Sequence, residues 1–117
     1  MIGGMMYNQR EIVLIPFPYS DLAGSKQRPA LIISNERLNR TQDRICCLIT
    51  TKARESDLPI SKKDFEMGTL PFKSFVRLQR IFTIHEKIIK RKLCVVTKKF
   101  HDSVIEGVND YLKREDS

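Results

Sequence analysis

Residues 10–34 read REIVLIPFPYSDLAGSKQRPALIIS and contain two short apolar runs, Ile12–Phe17 and Ala30–Ile33, separated by a polar loop. Both runs are bounded by turn residues and contain β-branched residues, which predicts two strands joined by a loop. Pro16 and Pro18 have no N–H to donate to a ladder, so the first strand should stop pairing there or lie at a sheet edge. The loop between the strands is therefore a natural place to look for functional residues.

Composition narrows the class of protein. The chain has 117 residues, of which 41% are hydrophobic and 30% charged, and this balance is typical of one globular domain. The net charge is +7 and the pI is near 9.5. Such a charge favours an acidic partner, most commonly a nucleic acid.

The cysteine pattern predicts a protein of the reducing cytoplasm. Cys46 and Cys47 are adjacent and Cys94 is alone, so neither a disulfide framework nor a Cys-x-x-Cys metal site is indicated, and buried thiols are expected. No secretory or membrane-spanning segment is apparent. We expect a flexible arm over residues 1–9 and a single domain over residues 10–117.

Further strands are expected along the rest of the chain. Ile45–Thr50 is a continuous apolar run and predicts a buried strand, whereas Leu58–Ile60 contains a proline and predicts a short edge strand. Lys62–Pro71 mixes charges with Gly and Pro and predicts a loop. Ile88-Ile89 and Leu93–Val96 suggest one more pair of strands, or a bent strand broken by the basic residues 90–92.

Phe75–Gln79 alternates apolar and polar residues. This period of two predicts a strand with Val76 and Leu78 in the core and with Arg77 and Gln79 projecting together from the other face.

A helix is predicted at about 98–114, with Thr97 as its N-cap. Its apolar residues recur at helical spacing: Phe100, Val104, Ile105, Val108 and Leu112. The chain is therefore mainly β with some α, and a small, strongly bent sheet or barrel of five to seven short strands with a helical lid is the expected architecture.

The opening segment resembles the MazF/PemK family of toxin endoribonucleases. The resemblance rests on the Glu11-Ile12 strand start and on Gly24-Ser25-x-x-Arg28-Pro29 before the second strand. It implies an SH3-like barrel with a C-terminal helix, a homodimer, and the toxin of a toxin–antitoxin pair. It also implies a metal-independent cut in single-stranded mRNA at a short sequence, without a cofactor, and an acidic antitoxin that competes for the RNA groove.

Three catalytic residues are implied by the family motifs. Arg28 matches the active-site arginine, and its planar fork suits two phosphate oxygens. Thr50 matches the threonine after the third strand, with Thr51 as the neighbouring alternative. Arg77 matches the arginine of an Arg-x-Asp pair in the PemK-like branch.

Contacts to the substrate are predicted at a second set of residues: Ser25, Lys26, Thr51, Lys52 and Gln79. Arg54 would add positive charge near Arg28. Gln79 takes the place of the aspartate in the Arg-x-Asp pair, and an amide cannot accept a proton at neutral pH. Arg10 and Cys94 stand where the family often has glycine.

Other groups offer weaker candidates. Glu11 could serve as a base, although a surface or paired carboxylate is the simpler interpretation. His85 and His101 invite comparison with a two-histidine ribonuclease, but their spacing does not bring them together. No Cys/His/Asp cluster indicates a metal site. The basic run between Lys87 and Lys99 is a solvated face or a track for an RNA backbone.

Two alternative functions are compatible with the same barrel but do not include RNA cleavage. One is a non-catalytic nucleic-acid-binding or gyrase-inhibiting toxin module. The other is a degenerate partner-binding domain without toxicity.

Overall fold

The computed structural model describes residues 6–18 and 25–116. Within these ranges the fold is mainly β, with seven antiparallel strands curled into a nearly closed barrel and a C-terminal helix, which confirms the predicted fold class. The strands are β1 (Glu11–Pro18), β2 (Ser25–Ile32), β3 (Asp43–Thr50), β4 (Leu58–Ile60), β5 (Phe65–Met67), β6 (Ser74–His85) and β7 (Arg91–Val96). The helices are α1 (Glu36–Asn39) and α2 (Lys98–Leu112).

The strands pair in the order β4-β6-β3-β2-β1-β7-β5. β3 lies inside the sheet and is almost entirely buried, as its unbroken apolar run predicts. β1 pairs with β2 as far as Pro18 but with β7 only as far as Leu14. Beyond Leu14, the side of β1 that faces β7 is therefore an unpaired edge. Pro16 and Pro18 lie in this part of the strand, so the N–H groups that they lack do not interrupt a ladder. β4, which contains Pro59, is an edge strand as expected.

Two apolar clusters lie on opposite faces of the sheet. The larger cluster includes Val76 and Leu78, as predicted, and receives Phe100, Val104 and Val108 from α2. The smaller cluster draws most of its residues from the alternate positions of β1, β2 and β3 and adds two from the later part of the chain: Val13, Ile15, Phe17, Ala30, Ile32, Cys46, Leu48, Ile84 and Ile89. Helix α2 covers the first face and the second face is buried as well, so a site can form only at the rim of the second face.

Three local predictions were wrong. Lys62–Pro71 is not simply a loop, because a 3₁₀ turn at Lys62–Asp64 leads into β5, whose pairing with β7 is non-local. Glu86–Ile88 forms a 3₁₀ turn rather than a strand. Basic residues 91 and 92 do not break the last strand, because they lie within β7 at its exposed start.

Side-chain hydrogen bonds anchor the residues just before β1 to the barrel. The buried Arg44 donates from Nε to the Tyr7 carbonyl at 2.8 Å, and Gln9 Nε2 donates to the Ile33 carbonyl at 2.9 Å. Residues 1–5 of the predicted arm lie outside the described part of the chain.

Arg10 has a left-handed backbone, with φ at 79°. This conformation strains an L-residue but not glycine, which explains why glycine suits the position. The Arg10 guanidinium compensates by pairing with Glu66 Oε1 at 3.0 Å and by donating to the Val96 carbonyl at 2.9 Å.

We expect Arg10→Ala to lower the free energy of unfolding by about 1 kcal/mol more than Arg10→Gly does. Both variants lose the guanidinium contacts, and only alanine keeps a Cβ in the left-handed region. Urea unfolding of the two variants measures the difference. Equal midpoints would show that the backbone at residue 10 carries no strain.

Candidate active site

β2 and β3 place Arg28 next to Thr50. The two strands are antiparallel, with Ala30 opposite Leu48. Continuing this register by two residues along each strand brings Arg28 opposite Thr50 on the same face of the sheet. Both residues line two adjoining cavities of about 390 and 420 Å³, which we call the first and second cavity.

The Thr50 hydroxyl is buried and held in a local turn. Its oxygen accepts the Lys52 N–H at 3.1 Å, whereas its own O–H has the Lys52 carbonyl only at 3.5 Å. The acceptor bond fixes the oxygen, while the long donor bond is weak. The hydroxyl can therefore turn its proton toward a phosphate oxygen without losing its position.

Arg77 reaches the first cavity from β6, where it lies opposite Leu48. Its guanidinium is held by the buried Asp57 through two bonds, Nε to Oδ1 at 3.2 Å and Nη2 to Oδ2 at 3.0 Å. Nη2 also donates to the Lys52 carbonyl at 2.9 Å. The cation is thus fixed in a bidentate fork, which is the most specific geometry for this pair.

Asp57 is the acidic partner that sequence reasoning missed. Burial raises the pKa of its carboxyl, but the hydrogen bond from Arg77, the Arg54 backbone N–H and the nearby positive charges outweigh burial, so that the pKa lies below its ordinary value. Asp57 is therefore ionised at neutral pH and positions Arg77. The polar run of residues 51–57 contained no periodic signal that could have singled it out.

The first cavity is strongly basic. Besides Arg28 and Arg77 it is lined by Lys52, Arg54 and Arg80, and no Asp or Glu is among the described residues that line it. Lys52 and Arg54 add positive charge near Arg28 as the sequence predicts, whereas nothing in the sequence pattern indicates Arg80.

Arg80 was missed because β6 is irregular. The pairing with β3 jumps from Cys47 opposite Ile81 to Leu48 opposite Arg77, so residues 78–80 form a bulge. Gln79 is exposed in this bulge and does not line the first or the second cavity, whereas Arg80 turns toward the first.

An aromatic pair, Phe17 and Phe82, lies beside Arg80. The Arg80 guanidinium carbon lies 5.2 Å from the centroid of the Phe17 ring, within range of a cation–π interaction. Phe17 also packs edge to face against Phe82, with centroids 5.4 Å apart. The sequence predicts Phe17 only as a strand residue, whereas the fold also brings it to the first cavity.

The second cavity contains the remaining predicted contacts. Lys26, Thr51 and Lys52 line it together with Arg28. Ser25 begins β2, but its side chain lies outside the described part of the structure.

The alternative bases and histidines lie elsewhere. Glu11 is buried at the start of β1, with Oε2 3.9 Å from Lys92 Nζ. His85 ends β6, where its Nε2 lies 3.0 Å from the Gln42 side-chain oxygen. His101 is buried on α2, and burial is the main cause of its lowered pKa. None of these side chains lines the first or second cavity.

The cysteines are buried free thiols. Burial raises the pKa of Cys46 and of Cys47 to about 12, and that of Cys94 to about 11. They are protonated and unreactive at neutral pH. Across residues 6–18 and 25–116 no group of His, Cys, Asp and Glu is arranged to hold a metal ion.

A family model of PemK-like, MazF-like toxins of type II toxin–antitoxin systems matches residues 8–112. The chain belongs to this family. Its resemblance to the family, inferred from residues 10–34, is thereby confirmed, and the family's members are generally endoribonucleases. A comparison with curated protein sequences finds no significant match.

Solved structures share the fold at low sequence identity. The MazE–MazF complex (Form-II) from Deinococcus radiodurans matches with a TM-score of 0.74 at 16% identity, over 92% of this chain and 96% of that one. A mycobacterial endoribonuclease matches at 0.72 and 20%, over 96% of both chains. A mycobacterial endoribonuclease in complex with its cognate antitoxin matches at 0.70 and 22%, over 91% and 94%.

In this MazF/PemK toxin, the barrel forms a basic cleft around Arg28 and Thr50. In the described part of this family member, no helix has both the length and the apolar character needed to cross a membrane.

Proposed function

We propose that the protein is a metal-independent endoribonuclease that cleaves single-stranded mRNA at a short sequence. The RNA 2′-oxygen attacks the adjacent phosphorus, the bond from phosphorus to the 5′-oxygen breaks, and a 2′,3′-cyclic phosphate and a 5′-hydroxyl result. The 2′-hydroxyl loses one proton and the departing 5′-oxygen gains one. The transition state is a crowded phosphorane with added negative charge.

One observation carries the proposal: Arg28, Thr50 and Arg77 line a single cavity, and none of the described residues that line it carries a carboxylate. Arg28 would clamp two phosphate oxygens, and Thr50 would donate its hydroxyl to one of them. Arg77 would add a fixed cation or donate a proton. Among residues 6–18 and 25–116, no imidazole and no carboxylate lines this cavity, so stabilisation of the phosphorane by cations would provide most of the catalysis.

The same charge supports the proposed partners. A basic cleft attracts single-stranded RNA and an acidic antitoxin segment alike, so neutralisation would follow from competition for one groove. We further propose a cytoplasmic homodimer with the groove at the subunit interface, as the family resemblance implies. Lys26, Thr51 and Lys52 would contact the RNA around the cleavage site, and Ser25 and Gln79 complete the proposed set of contacts.

A second candidate is a toxin of the same fold that binds nucleic acid or inhibits gyrase without cutting RNA. It is favoured by the state of Arg77, whose charge is already paired with Asp57, and by the amide at Gln79. Both features reduce the proton-transfer capacity of the site.

Mapping the ends of cleaved RNA distinguishes the two. The purified protein is incubated with a long single-stranded RNA in excess EDTA. We expect discrete cuts that leave cyclic phosphates and 5′-hydroxyls. Binding without cuts, or cuts that appear only when Mg²⁺ is restored, would contradict the proposal, and inhibition of a topoisomerase would favour the second candidate.

A further inference from the structure

A third cavity of about 460 Å³ continues the groove beyond the proposed cleavage site. It shares Pro29, Thr51, Phe72 and Ser74 with the second cavity, which in turn shares Arg28 and Thr50 with the first. The proposed scissile phosphate would therefore lie in the middle of a continuous groove. RNA bound there must pass over surface on both sides of it.

Phe72 lies at the junction of the second and third cavities. The residue is 73% exposed, although burial of a phenylalanine is strongly favoured. The ring therefore presents a flat apolar face to whatever occupies the groove. A flat aromatic face is the platform on which unpaired bases stack.

The loop that carries Phe72 is restrained. Gly68 turns the chain out of β5 with a left-handed φ of 70°, and Pro71 fixes the backbone just before the ring. Ser74 Oγ donates to the Phe72 carbonyl at 2.7 Å. A restrained platform loses little entropy when a base stacks on it.

The charges around the ring suit a polyanion. Lys26, Arg28 and Lys52 line the second cavity, Arg91 lines the third, and neither cavity has an acidic residue among its described lining residues. An apolar ring between cations matches a nucleotide chain, in which bases alternate with phosphates. The antitoxin peptide would find the same cations but has no obligatory flat ring for the platform.

We propose that the third cavity is a subsite for a nucleotide flanking the scissile phosphate, with its base stacked on Phe72 and its phosphate contacted by Arg91. This inference rests on the proposed function and deepens it. Stacking accepts every base, so the subsite adds affinity for single-stranded RNA instead of selecting the sequence.

Binding of a labelled, fully 2′-O-methylated oligoribonucleotide tests the platform without requiring cleavage. We expect Phe72→Ala to weaken binding about tenfold, and Phe72→Tyr, which keeps the ring, to bind like the parent. Leu112→Ala is the matched control, because Leu112 is 71% exposed and does not line the groove. Equal binding by the parent and Phe72→Ala would overturn the proposal.

An abasic scan of the same oligonucleotide locates the base. One abasic position near the cleavage site should weaken binding by the parent and leave binding by Phe72→Ala unchanged, because the stacking contact is already lost. Equal effects of each abasic position on parent and variant would overturn the proposal.

Oligomeric state separates RNA binding from a protein interface. We expect Phe72→Ala to elute like the parent on gel filtration. A change of oligomeric state that accounts for the lost affinity would assign the ring to a subunit contact and overturn the proposal. A parent that shows the abasic effect but does not cut unmodified RNA would contradict the nuclease function and leave the subsite standing.

Discussion

Replacement of Arg28 by alanine is expected to lower the rate of RNA cleavage by about 100-fold or more, the typical cost of losing one transition-state donor. Arg28 and Thr50 both line the basic first cavity. Its fork is the group best suited to the phosphorane oxygens, because two parallel N–H bonds strengthen together as charge develops on them. Initial rates on a short single-stranded substrate in EDTA measure the effect.

Arg28→Lys should recover only part of the lost rate, because an ammonium provides charge without the planar fork. Arg37→Ala is the matched control: it removes the same charge from an exposed position on α1. Cleavage by Arg28→Ala at a rate close to that of Arg37→Ala would show that this guanidinium does not act in the reaction.

Replacement of Asp57 by asparagine is expected to lower the free energy of unfolding by about 3 kcal/mol, since breaking a buried ion pair leaves an uncompensated charge. The Arg77 side chain is 12% exposed and that of Asp57 is fully buried. Asp57 also accepts the Arg54 backbone N–H at 2.8 Å, so the change weakens the segment that carries Lys52 and Arg54. Urea unfolding at neutral pH measures the loss of stability.

The contribution of Asp57 to the free energy of unfolding should decrease as the pH is lowered. Its pKa is lowered in the folded protein, so the unfolded chain binds the proton more readily. The stabilisation is complete above the unfolded carboxyl pKa of about 3.9 and is lost as pH falls through the lower folded value. The difference between the parent and Asp57→Asn should therefore shrink on acidification, and a constant difference would contradict this assignment.

Asp110→Asn is the control for this experiment. Asp110 pairs with Lys113 at 3.0 Å, but both side chains are mostly exposed. Exposed pairs contribute little, so its unfolding midpoint should stay near that of the parent. A loss equal to that of Asp57→Asn would attribute the effect to general charge rather than to the buried pair.

Much of the fold could be predicted because its signals are local. The alternation at residues 75–79 placed Val76 and Leu78 in the core, and the apolar spacing from Phe100 onward predicted the helix that covers them. β5 was missed because it has three residues and forms only by pairing with β7, far along the chain. Short edge strands depend on their partners more than on their own pattern.

The candidate site was predictable only in part. Arg28, Thr50 and Arg77 were selected through family motifs, and the structure brings all three to one cavity. Phe72 and Arg80 were not selected, because neither an exposed loop aromatic nor a residue in a bulge has a periodic signature.

The sequence by itself determined the strand-rich fold class, the family and the basic cleft around the second strand, because these depend on short-range patterns and on motif residues. The tertiary structure alone decided which acid faces Arg77. Asp57 is 20 residues away from it along the chain, and the two meet because Asp57 directly precedes β4, which pairs antiparallel with β6 so that Leu58 lies opposite Val76. No local pattern encodes such a contact, since it depends on strand pairing and on the burial of both partners.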